Sequence, residues 1–116
     1  MLKERLRQAL IDQAKAGSPT TYAELATRLG LEPPNTIRRV AEALEDIMKD
    51  DVAAGRPLLS ALCVSKTRTG IPRAGFLLTA QALGVFSGDA GGPEAVAFHA
   101  RELKRVLALY GMSHRH

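Results

Sequence analysis

The sequence predicts an α+β domain, mainly helical, with a helix-turn-helix in its first half, a small β element after it and a C-terminal helix. Three observations lead there. Apolar residues recur at helical spacing in long stretches, and Gly and Pro clusters separate those stretches where turns are needed. One apolar run, Leu58 to Val64, is too brief for an ordinary helix and follows Pro57, so it reads as a buried strand. With aromatics at 4% and no Trp, the core has to come from Leu, Ala, Val and Ile, a composition that leans helical.

Leu2, Leu6, Ala9, Leu10 and Ala14 share one face of a first helix over residues 2–16, with Lys3, Glu4, Arg7 and Lys15 elsewhere around it, and Gly17-Ser18-Pro19 ends it. In Thr20 to Gly30, Thr21 and Glu24 have capping-box spacing and Gly30 suits a left-handed C-terminal cap, which bounds a short second helix at both ends. Leu31-Glu32-Pro33-Pro34 cannot continue it, because a residue before proline is pushed out of the α region and proline has no N–H to donate.

From Asn35 the helical pattern resumes. Ile37, Val40, Ala41, Leu44, Ile47 and Met48 form an apolar stripe running towards Ala54, closed by Gly55 and Pro57. Ser65 to Gly75 is a polar, basic loop, and Leu77 to Leu83 favours a short helix capped by Gly84. After the Gly-rich stretch Ser87–Gly92, Pro93 suits the first turn of a final helix. There Val96, His99, Leu103, Val106, Leu107 and Tyr110 share a face and Arg101, Glu102, Lys104 and Arg105 point towards solvent. The 116 residues therefore divide, within one domain, into a helical core (1–54), a strand, basic loop and short helix (55–86) and a C-terminal helix (93–110) that packs back or mediates a homodimer.

The net charge of +4 is unevenly spread: no Asp or Glu lies between Val52 and Gly88, whereas Arg56, Lys66, Arg68 and Arg73 do. Positive potential on that segment suits a polyanionic partner. Cys63 has no second cysteine to pair with, and no stretch is apolar enough for a leader or a membrane span, so a reducing cytoplasm is the expected compartment. An apolar strand with no neighbouring His makes Cys63 a buried small hydrophobe. His99 is a satisfied core or rim histidine rather than a ligand, and His114 and His116 lack a carboxylate or cysteine cluster to complete a metal site. Gly70 to Gly75 matches neither the dinucleotide nor the Walker pattern, and no paired-carboxylate or Ser-His-Asp arrangement can be argued. The expectation is a non-catalytic protein with no cofactor and no metal.

A helix-turn-helix presents the N-terminal residues of its second helix to the major groove. Here those residues are Asn35, Thr36, Arg38 and Arg39, able to contact phosphates or base edges of double-stranded DNA, with Lys66, Arg68 and Arg73 holding the backbone electrostatically. Glu42, Glu45, Asp46, Asp50 and Asp51 would be repelled by phosphates further along the helix, so only its N-terminal end can approach DNA. The same acidic face, or the basic loop, could instead dock a protein partner.

The stretches Thr20-Thr21-Tyr22-Ala23-Glu24-Leu25-Ala26 and Arg38-Arg39-Val40-Ala41-Glu42-Ala43-Leu44 resemble the winged-helix DNA-binding region of the DNA alkyltransferases and alkyltransferase-like proteins. The resemblance implies a winged-helix scaffold, and the helix-turn-helix reading makes the expected role that of a transcriptional regulator or accessory DNA-binding factor. In that family a Pro-Cys-His-Arg active site follows, in which the cysteine accepts an alkyl group; this chain has Leu62-Cys63-Val64-Ser65, so alkyl transfer is not implied. The run Gly55 to Leu62, with Gly70-Ile71-Pro72 and Gly75-Phe76 downstream, is similar to a segment of small bacterial proteins from which no activity carries over.

Overall fold

A computed structural model describes residues 2–64, 74–88 and 92–111. The chain runs α1 (Leu2–Ala16), β1 (Thr20–Thr21), α2 (Tyr22–Arg28), α3 (Thr36–Ala53), a 3-10 turn (Leu59–Leu62), β2 (Cys63–Val64), α4 (Ala74–Ala82) and α5 (Pro93–Tyr110). The architecture is mainly helical with a small sheet, in line with the expected class.

Local chemistry places the ends of these helices. Thr21 caps α2: its hydroxyl oxygen accepts the Glu24 N–H at 3.2 Å, and the Glu24 carboxylate accepts the Thr21 N–H at 3.2 Å and the Thr20 hydroxyl at 3.0 Å. At the other end Gly30, at φ +68°, donates to the Thr27 carbonyl while Leu31 donates to that of Ala26, the paired pattern of a left-handed cap. Gly55 after α3 and Gly84 after α4 repeat it, with Arg56 reaching the Asp51 carbonyl and Val85 that of Ala80. Arg5 of α1 adds a cation at the α2 C-terminus, donating to the Leu29 carbonyl at 2.6 Å.

Two apolar clusters make the core. The first joins Leu6, Leu10 and Ala14 of α1 to Leu25 of α2, Val40, Leu44 and Ile47 of α3, Leu59 and Leu62 of the 3-10 turn and Val106 of α5. The second gathers Met48, Leu58 and Ala61 with Phe76, Leu77, Phe86 and Phe98, and Leu103 packs against both. All three phenylalanines of the chain are in the second, Phe86 and Phe98 with centroids 5.0 Å apart and Phe76 and Phe98 6.1 Å apart. Fully burying each such side chain contributes about 1.5–3 kcal/mol, and α3, α5 and the 3-10 turn each supply residues to both clusters.

The structure departs from the sequence expectation at several places, among them the start of α4, which takes in Ala74 and Gly75 where a loop was expected. The run Leu58 to Val64 is not one strand: its first part turns as a 3-10 helix and only Cys63–Val64 is extended. The turn is held because buried carboxylates accept the Leu58 and Leu59 N–H groups and the Leu44 carbonyl accepts the Ser60 hydroxyl. β2 pairs in parallel with β1, Thr20 opposite Cys63 and Thr21 opposite Val64. On α5 the buried face consists of Ala95, Phe98, His99, Glu102 and Val106, while Val96 is 59% exposed. Glu102, expected in solvent, is buried, since it lies one turn from Phe98 and His99 on the inward face. Asp51, expected on a solvated acidic face, is buried as well, for it continues the series Val40, Leu44, Ile47. Cys63 and His99 are buried as expected. Among the described residues no helix is long and apolar enough to cross a membrane.

Candidate nucleic-acid interface

The turn between α2 and α3 begins at the Gly30 cap and passes through Pro33 and Pro34 to Asn35, whose backbone is left-handed at φ 63° and ψ 30°. Asparagine tolerates that region better than most residues. Its side chain makes no capping hydrogen bond, and no acidic residue lies in the first turn of α3. The first intrahelical bond runs from the Arg39 N–H to the Asn35 carbonyl at 2.9 Å. The N–H groups of Thr36, Ile37 and Arg38 thus precede the helical ladder, and the positive end of the α3 dipole faces outward.

Around it the structure brings Asn35, Thr36, Ile37, Arg38 and Ala41 together in one open hollow. Asn35, Arg38 and Arg39 are exposed, and Ile37 anchors the turn against the core. Arg38 donates from Nε to Glu42 at 3.3 Å, a pair exposed by 74% and 63% that screening leaves weak. Arg39 lies outside the hollow, and its Nη1 reaches the Glu32 carbonyl at 3.4 Å. Three of the four expected major-groove residues therefore share one hollow and Arg39 flanks it. Lys66, Arg68 and Arg73 lie outside the described residues.

Of the remaining acids of α3, Glu45, Asp46 and Asp50 follow Glu42 at three- and four-residue spacing on one side of the helix, and Asp51 leaves that face. Asp46 stands 3.9 Å from Lys49. Asp50 pairs with Lys3 at 2.9 Å, and the hydrogen bond from that ammonium holds the carboxyl below the ordinary carboxylate range. Asp51 points inward: Oδ1 accepts from Arg7 at 3.0 Å and from Arg56 at 3.1 Å, and Oδ2 accepts the Leu59 N–H at 3.1 Å. Glu102 of α5 does the matching job one residue earlier, accepting the Leu58 N–H at 3.1 Å while Arg105 donates to it at 2.7 Å. Two buried carboxylates from different helices thus seat the start of the 3-10 turn. Both were detectable as charges at apolar register positions, a signal that side-chain type alone obscures.

His99 donates from Nε2 to the Ala61 carbonyl at 2.8 Å, with the Phe76 ring edge-on at 5.9 Å, and burial pushes the imidazole below its ordinary range. Burial and then the nearby Asp51 raise the Tyr110 phenol. Among the described residues no group of three or more His, Cys, Asp or Glu could hold a metal ion. The chain matches no known family model, no curated protein and no solved structure.

Proposed function

We propose that this protein is a non-catalytic double-stranded DNA-binding protein, a transcriptional regulator or accessory factor that inserts the start of α3 into the major groove. The observation that carries the reading is the uncapped, acid-free N-terminus of α3 beside the exposed Asn35 and Arg38 and the half-buried Thr36. Free N–H groups and a positive dipole end favour phosphate, and Asn and Arg side chains suit base edges. Arg39 grips the adjoining backbone. The winged-helix form of the reading draws support from the order helix, strand, helix, helix, strand, with β1 paired to β2. Lys66, Arg68 and Arg73, which follow β2 in the chain, would serve as the wing.

A salt titration of binding to duplex DNA tests the proposal. Log affinity should fall with log salt by about 0.9 per phosphate neutralised. Arg38→Ala and Arg39→Ala should each lower affinity, and a variant that no longer neutralises one phosphate should show a slope shallower by about 1. No binding at low salt overturns the reading.

A further inference from the structure

Beyond the C-terminal end of α3, which is about 27 Å long and carries the hollow at its other end, a second cleft opens between the turn after α3 and α5. Its volume is about 250 Å³. Arg56, Arg101 and Arg105 stand around it, Val85 supplies its exposed apolar wall, and the edges of the buried Leu58 and Phe98 line it further. Val85 is 40% exposed there although it is a large apolar residue.

The arginines are only partly engaged. Arg56 donates from Nε to Asp51 and Arg105 from Nη1 to Glu102, and among the described residues neither guanidinium makes a further side-chain hydrogen bond. Arg101 makes no ion pair among the described residues; its guanidinium carbon lies 5.6 Å from the centre of the Phe98 ring. Arg101 and Arg105 are also four apart on one helix, a spacing at which like charges repel.

Charge defines the occupant. Asp51 is balanced by Arg7 and Glu102 offsets one arginine, so the cleft retains two net positive charges. A phosphate monoester carries about −1.5 to −2 at neutral pH, whereas a carboxylate or a phosphodiester carries a single charge. Planar guanidinium forks match phosphate oxygens pairwise. The volume lies below the ~300–1,000 Å³ common for larger ligands, which calls for a compact molecule.

We propose that this cleft binds a small phosphate monoester with a compact apolar or aromatic body. Arg56, Arg101 and Arg105 take the phosphate, and Leu58, Val85 and Phe98 take the body. The site is independent of the α3 hollow.

Phenyl phosphate, added to the full chain and followed by calorimetry and by NMR shifts of Phe98 and Val85, tests this. It should bind at least about tenfold more tightly than inorganic phosphate or benzoate, and shift those two residues. Arg101→Gln, which removes no ion pair among the described residues, should weaken it about tenfold, while Arg38→Ala leaves it unchanged. Binding no tighter than inorganic phosphate, shifts elsewhere, or an unaffected Arg101→Gln variant overturns the proposal. Displacement of phenyl phosphate by a short DNA duplex, abolished in Arg101→Gln but retained in Arg38→Ala, also overturns it, by giving the cleft to the DNA backbone.

Discussion

Arg7 of α1 and Asp51 of α3 meet at 3.0 Å with the Asp51 side chain wholly shielded from solvent, across 44 positions of sequence. Arg56 shares the same oxygen and the Leu59 N–H takes the other, while Arg7 Nη2 is buried without an acceptor among the described residues. The cluster joins α1, α3 and the 3-10 turn through one carboxylate.

Removing that charge should be among the most damaging single changes in the molecule. Asp51→Asn retains an acceptor for Leu59 but leaves two guanidiniums beside an uncharged amide. Breaking a buried pair from one side costs about 3–5 kcal/mol, which in a domain of this size lowers the melting temperature by at least about 10 °C. Thermal and urea melts check it, and a loss under about 1 kcal/mol would mean that the cluster adds little to stability.

Stability should fall on mild acidification because of His99. Its folded-state pKa is depressed below 6.5 by burial, so below that value the unfolded chain binds the proton more readily than the folded one. The contribution is complete above 6.5 and is lost as pH falls through the folded pKa, with a slope of at most about 1.4 kcal/mol per pH unit. Urea midpoints at successive pH values should show that slope in the native chain and a shallower one in His99→Gln.

Gly30 carries the turn that aims α3. A Cβ there meets nothing within 4 Å, so substitution is penalised through the backbone at φ +68° rather than by a clash. Gly30→Ala should cost about 1–2 kcal/mol, and Gly30→Asn less because asparagine tolerates the left-handed region. Equal losses in the two variants, measured by denaturant midpoint, would point to a cause other than backbone conformation.

Thr36→Glu separates folding from DNA binding. A carboxylate in the first turn of α3 complements the dipole and should stabilise the domain by about 0.3–1 kcal/mol. The same charge would repel phosphate, so duplex affinity should fall while the melting temperature rises. Unchanged affinity would move the interface away from this end of α3.

The helices and their ends were legible because short-range chemistry determines them. Thr21 and Glu24 satisfy each other's backbone donors within one turn, and Gly30, Gly55 and Gly84 adopt the left-handed conformation that few other residues accept. The composition of the α3 entrance, Asn35 to Arg39, was equally visible, as was the inward fate of Cys63 and His99.

Tertiary structure decided which charges would be buried, which residues the 3-10 turn would lean on, and that β1 and β2 would run parallel. The Asp51 and Glu102 carboxylates lie where helical register demands core, but whether such a residue is excluded or accommodated depends on partners 44 positions away: Arg7 for one, the Leu58 N–H for the other. A carboxylate enters a protein interior only where guanidiniums and backbone donors converge to replace its water. That convergence belongs to the packed molecule, and it is also what assembles Arg56, Arg101 and Arg105 around a cleft that no contiguous stretch of sequence spells out.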